Sequence, residues 1–300
     1  MNRLALITLF IASVLCFAKP LAWAHPQVAL VAPSLTSMQI RTIKGDHRVT
    51  IDSSVKSNGL LVITIGGTGS GPSEFEYVAK LSATLGYRVL SVDYPNGVIS
   101  TVCQPDPDPL CFDNYRNEIV TGAVASPLVD VDRHNSIENR IDALFAHLLS
   151  MNFSQWADLR TPNGILDWSK VVLVGHSQGA GHVAYLGKFH EVKRIVMTGG
   201  PHDKSEHGLA KWVVSAGATP RDRHFAFLHE DDFFGSALQV DVVRGLLGDS
   251  RAKIERIVDS VSSRKSAHLF MTDLVVHDPH NSLAHPRFEN VWKPLLDSTY

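Results

Sequence analysis

Val171-Val172-Leu173-Val174-Gly175-His176-Ser177-Gln178-Gly179 is the stretch that decides how this 300-residue chain is read. Four apolar residues, three of them β-branched, predict a short buried strand. The strand runs into Gly-His-Ser-Gln-Gly, which fits the G-x-S-x-G pattern of a nucleophile elbow. Small residues follow at Ala180 and Gly181, then a helical pattern over residues 183–189. In that context the turn forces the serine into a strained conformation, with its hydroxyl exposed above the sheet edge. Gly175 and Gly179 fall where a side chain would meet the neighbouring strand or helix. The helix start behind Ser177 aims backbone N–H groups and the positive dipole end at a developing oxyanion. The competing reading is a plain strand-to-helix turn whose serine only caps the helix.

An elbow serine needs a second oxyanion donor, a base and an acid. Upstream, Leu60-Leu61-Val62-Ile63-Thr64-Ile65 predicts a buried strand that ends in Gly66-Gly67-Thr68-Gly69-Ser70-Gly71-Pro72. This loop lacks the Gly-Lys-Ser/Thr ending of a P-loop and the G-x-G-x-x-G spacing. It suits an oxyanion loop, in which an N–H from Gly67 or Thr68 pairs with the N–H of Gln178.

Downstream, residues 224–228 predict a strand that delivers His229-Glu230-Asp231-Asp232 at its end. Asp232 is the first candidate for the acid, Asp231 the second, with Glu230 also at hand; an ordinary acidic turn is the alternative. The base is expected from the loop between a last strand at residues 267–274 and a terminal helix at 288–296. That loop holds His277, His280 and His285. His280, mid-loop, is preferred and His277 comes next.

Other segments set the frame. Residues 38–43 and 48–51 predict a β-hairpin turning at 44–47, after an irregular lead-in over 25–37. Helices are predicted at 73–85 and 137–149, with Ser136 opening the second, and at 237–247. Strands are predicted at 87–92 and 194–198. Asp93 reads as a structural turn residue, and His202-Asp203 as loop residues at the mouth of the site. Residues 97–134, with little periodicity and several prolines, read as an excursion over the active site. The alternation of strand and helix after residue 60 predicts an α/β fold with a mostly parallel central sheet and helices on both faces. Ligands of such sheets sit at the carboxyl ends of the strands.

Met1-Asn2-Arg3, the apolar run over 4–18 and Ala22-Trp23-Ala24 predict a signal peptide over 1–24, cleaved before His25. The run is short for a spanning helix, so no stable membrane insertion is expected. Residues 25–300 then form one domain, exported to the periplasm or the medium. Lys and Arg number 28 against 30 Asp and Glu, for a net charge of −2 with no basic run, which argues against nucleic acid as a partner. Cys103 and Cys111 remain after leader removal, and an oxidising compartment predicts a disulfide between them. No metal or organic cofactor is implied.

Taken together the chain resembles the α/β-hydrolase superfamily, and more closely a group of exported bacterial α/β-hydrolase-like proteins. The segments that carry the resemblance are Gly66-Gly67-Thr68-Gly69, Gly86-Tyr87-Arg88-Val89, Asp93-Tyr94-Pro95-Asn96, the Cys103 and Cys111 loop, residues 135–140 and residues 175–180. The resemblance implies the α/β-hydrolase fold, a serine nucleophile at Ser177 and an oxyanion hole at Gly67 or Thr68 with Gln178. The expected function is hydrolysis of carboxylic esters, on a small-molecule or lipid-like substrate. A peptidase or polyester depolymerase on the same scaffold is one rival. A non-catalytic binding protein that has kept the fold is another.

Overall fold

In the central strands, alternate side chains go to two different cores. The structure, a computed structural model, describes residues 26–229, 232–248, 253–257 and 289–297. Among the described residues its main sheet has eight strands: β1 (Gln27–Val31), β2 (His47–Ile51), β3 (Leu61–Ile65), β4 (Arg88–Ser91), β5 (Val171–His176), β6 (Arg194–Thr198), β7 (His224–His229) and β8 (Lys253–Ile257). Their order across the sheet is β1-β2-β4-β3-β5-β6-β7-β8. From β4 to β8 every neighbouring pair is parallel, while β2 runs antiparallel to both β4 and β1. The sheet is therefore mostly parallel, as the strand–helix alternation predicts.

The period of two along each strand divides the core. Leu61, Ile63, Leu173, Ile195, Met197 and Leu228 enter one cluster; Val62, Val172, Val174, Val196 and Phe227 enter the other. Helices α2 (Cys111–Thr121), α3 (Ile137–Met151), α4 (Gln178–Phe189) and α5 (Ser236–Leu247) supply the first cluster. The second is closed by α1 (Glu76–Thr84) and by α6 (Glu289–Leu296), whose Trp292 packs edge-on against Phe227. Strands buried on both faces read as continuous apolar runs, so β3, β5, β6 and β7 are the strands the sequence marks most clearly. Ser136 caps α3, its hydroxyl accepting from the Asn139 N–H.

Two expectations are corrected. The partner of β2 is residues 27–31, not 38–43. In and just after the latter segment, three backbone amides are taken by side chains instead of a ladder. Asn135 accepts from Arg41, and the Asp93 carboxylate accepts from Ile43 and Lys44 while pairing with the buried Arg140. Second, residues 97–134 are not aperiodic throughout, since they contain the eleven-residue helix α2. After α5 the chain forms β8 at residues 253–257; the strand expected at residues 267–274 lies outside the described residues.

Cys103 and Cys111 are joined by a disulfide, and Cys111 is the first residue of α2. Glu118, on the buried face of α2, accepts from the Ser126 and Val131 amides and so holds the returning chain. Among the described residues no helix is long and apolar enough to cross a membrane.

His47 at the start of β2 is fully buried, its Nδ1 accepting from the Asp93 N–H. Burial, reinforced by Arg140, lowers its pKa from 6.5 to about 3. Burial likewise pushes His224 down to about 4. Both rings stay neutral in the native state at a pH where the unfolded chain has bound protons. The unfolded state therefore gains on acidification, and stability falls as pH drops below about 6.5. The urea midpoint is expected to decline between pH 7 and pH 5. His47→Gln should reduce that slope by up to one proton, or about 1.4 kcal/mol per pH unit.

Candidate active site

Ser177 is the one non-glycine residue with positive φ among the described residues, at φ 55° and ψ −119°. Such a backbone costs on the order of 1–3 kcal/mol and persists only where its surroundings enforce it. Here β5 ends one residue earlier and α4 begins one residue later. The Ser177 N–H is spent on the Thr198 carbonyl at the end of β6, 2.8 Å away. The flanking glycines are needed because the strand and helix meet backbone to backbone. A methyl group on Gly175 would stand 2.3 Å from the Gly179 carbonyl oxygen, and one on Gly179 would stand 2.1 Å from that of Ile65.

The loop after β3 lies against this elbow: a methyl on Gly67 would be 3.2 Å from the Ser177 Cβ. The loop is pinned from the segment after β4, since Tyr94 donates its hydroxyl to the Gly66 carbonyl and Asn96 donates its amide to the Gly67 and Ser70 carbonyls. Of the two donors considered in it, Gly67 is already committed. Its N–H points at the Glu74 carboxylate, 2.5 Å away. The Thr68 and Gln178 N–H groups donate to no atom among the described residues. The same two residues are joined directly by their side chains, the Thr68 hydroxyl donating to the Gln178 amide oxygen at 2.5 Å. Gln178 is the first residue of α4, where backbone N–H groups have no partner within the helix.

Beneath Gln178 lies a charged layer that sequence reasoning missed. Arg116 of α2 is fully buried and forms a two-pronged pair with Asp203, at 2.9 and 2.7 Å. It also donates to the Gln178 carbonyl at 2.7 Å. Trp212 donates its indole N–H to Asp203. His182, one turn along α4, sits 3.3 Å from both Arg116 and the Gln178 amide. Burial, with the nearby guanidinium, holds the His182 pKa well below its ordinary value and keeps the ring neutral. Asp203 is thus an internal counter-ion and not a residue of the site's mouth. The Gly200-Pro201-His202-Asp203 turn still lies close to the nucleophile: a methyl on Gly200 would be 2.6 Å from the Ser177 carbonyl oxygen and 3.3 Å from the His202 ring.

Asp232 lies beyond β7 and is buried. One carboxylate oxygen accepts from the Phe234 N–H at 2.9 Å and the other from the Gln239 amide at 2.8 Å. That amide nitrogen is also 3.1 Å from the His202 Nε2, so a polar chain runs from Asp232 to the turn beside Ser177. Glu230, Asp231, His277, His280 and His285 lie outside the described residues. No group of three or more His, Cys, Asp or Glu able to hold a metal ion occurs among the described residues.

The nucleophile candidate, its two flanking loops and the acid candidate all stand at the carboxyl ends of parallel strands, where open α/β sheets bind ligands. Comparison with solved structures finds a similar fold elsewhere. Esterase 2 from Thermogutta terrifontis superposes with a TM-score of 0.53 at 12% identity, over 91% of this chain and 94% of that one. The same esterase phosphorylated by paraoxon gives 0.50 at 12% identity, over 91% and 93%. Esterase B from Lactobacillus rhamnosis gives 0.49 at 12% identity, over 91% and 86%. No curated protein matches in sequence. The model of the alpha/beta hydrolase family matches residues 62–295. With the elbow, the sheet order and this match in agreement, the chain belongs to the alpha/beta hydrolase family.

Proposed function

We propose that this protein is an exported serine hydrolase that cleaves carboxylic esters of small or medium acyl groups through an acyl-enzyme on Ser177. The observation that carries the reading is the strained Ser177, set between two uncommitted backbone donors at Thr68 and Gln178. A backbone cost of that size is expected where it aims a nucleophile. Ser177 attacks the ester carbonyl and a neutral imidazole takes its proton, a role assigned to His280 with His277 as second choice. Asp232 orients that imidazole, with Asp231 as second choice. The two N–H groups receive the negative charge that develops on the carbonyl oxygen, each contributing roughly 3 kcal/mol to the transition state. The imidazole then protonates the leaving alcohol, and water repeats the sequence on the acyl-enzyme. The similar fold of esterases is in keeping with this chemistry. Residues 1–24 act as the export signal, and residues 25–300 form the catalytic domain.

The test is hydrolysis of p-nitrophenyl esters across a chain-length series by the mature protein. His280→Ala, His277→Ala and Asp232→Ala are assayed beside it. Loss by at least about 10³-fold is expected for His280→Ala and for Asp232→Ala, with His277→Ala close to wild type. Loss with His277→Ala alone moves the base to that residue. A wild-type protein that turns over no ester and takes up no fluorophosphonate defeats the proposal.

A further inference from the structure

We infer that Glu74 is a positioning residue of this site, its carboxylate fixing the loop after β3 so that Thr68, and not Gly67, presents an N–H to the reacting carbonyl. The inference rests on the proposed hydrolase reading and deepens it. Glu74 is only 1% exposed. It stands in the short 3₁₀ turn Pro72–Phe75, just before α1. Both carboxylate oxygens are used. One accepts from the Gly67 N–H and lies against the Ser70 hydroxyl, each at 2.5 Å. The other is 2.5 Å from the Nδ1 of His176, the residue immediately before the nucleophile. A single side chain thus ties the loop after β3 to the elbow after β5.

Two physical points separate this from ordinary core packing. A buried carboxylate is costly, and a hydrophobic or amide side chain of similar size would fill the space at less cost. Among the described residues no lysine or arginine pairs with Glu74. Its partners are a backbone amide, a hydroxyl and an imidazole, all belonging to the two segments that meet at Ser177. The second point is direction. With the Gly67 N–H held by the Glu74 carboxylate, Thr68 is left as the residue of the two whose N–H has no acceptor among the described residues. Gly67 packs within van der Waals range of Ser177. A loop displaced by as little as about 1 Å would misplace the donor enough to cost about 100-fold in rate. The carboxylate facing Nδ1 also places the imidazole proton on that nitrogen, which fixes the His176 ring beside the elbow.

The test compares Glu74→Ala and Glu74→Gln with wild type and Ser177→Ala. For each, kcat and KM are measured on the preferred p-nitrophenyl ester, reactive sites are counted by fluorophosphonate titration, and affinity for a phenylboronic acid is determined. For Glu74→Ala, kcat per titrated site is expected to fall by about 10–100-fold, with KM within about threefold of wild type. Boronic acid affinity should weaken by about the same factor as kcat/KM, because a boronate adduct resembles the tetrahedral transition state. Glu74→Gln is expected to recover most of the rate. Its amide oxygen can accept from Gly67 while its NH₂ donates to the other His176 tautomer. The inference is overturned if Glu74→Ala loses only titratable sites while kcat per site is unchanged, if the loss appears in KM alone, or if Glu74→Ala equals a Ser177-dependent wild type. An inert, unlabelled wild type overturns the hydrolase reading and this inference with it, and is told apart from those outcomes by the wild-type assay itself.

Discussion

Ser177→Ala is expected to lower kcat on p-nitrophenyl esters by about 10⁴- to 10⁶-fold and to abolish fluorophosphonate labelling, since no covalent intermediate can form without the hydroxyl. KM, where it can still be measured, should stay near wild type. The same position carries a separate stability signature. At φ 55° and ψ −119° a Cβ is unfavourable whatever it bears. Alanine keeps the strain and glycine relieves it. Ser177→Gly should therefore be more stable than Ser177→Ala by about 1 kcal/mol, the relief of strain being partly offset by glycine's greater freedom in the unfolded chain. Urea unfolding of the two inactive variants checks this. If Ser177 merely capped a helix, both variants would retain full activity, and the comparison therefore separates a capping role from a nucleophilic one.

Arg116→Met should destabilise the protein by about 3–5 kcal/mol, because it strands the Asp203 carboxylate in a site without solvent. Both partners are fully buried, and Arg116 is also the donor to the Gln178 carbonyl. Asp203→Leu should cost a similar amount, about 3–5 kcal/mol, by leaving the guanidinium unpaired and the Trp212 indole N–H without its acceptor. The double variant should recover much of the loss, since two apolar groups of similar volume can replace a buried pair nearly neutrally. Equilibrium urea unfolding of the two single variants and the double variant measures the coupling. A purely additive result would mean that the pair contributes no mutual energy. The double variant should still lose activity, because the Gln178 carbonyl loses its donor in either case.

The parts of the fold that were legible are those where burial is two-sided and local. Val171–Val174 and Leu61–Ile65 are apolar on both faces, so their composition alone marks them as inner strands. The elbow was legible because its geometry needs glycines at fixed offsets. Helix α2 was not, because Arg116 and Glu118 occupy its buried face and conceal the helical period. Strand β1 was hidden for the opposite reason: it lies at the edge of the sheet, and much of its surface faces outward. Strand β8, with the sequence Lys-Ile-Glu-Arg-Ile, mixes charged and apolar residues and so lacks the continuous apolar run that marks an inner strand. Glu74 could not be found from sequence at all. Its partner His176 is 102 residues away, and nothing local distinguishes it from a solvent-facing glutamate at a helix start. The same holds for Asp203, whose partner is 87 residues distant.

The clasp between Cys103 and Cys111 has a consequence for how such a protein can diversify. It delivers the chain to the first turn of α2 whatever lies between the two cysteines, and Arg116 and Glu118 hold the helix from its inner side. Residues 104–110 are left largely outside the packed interior. Mutations can accumulate in that short span without disturbing the sheet, the elbow or the buried pair. Tolerance of change and stability are thereby assigned to separate stretches of chain, and a lineage can explore new surface chemistry in the first while selection holds the second fixed.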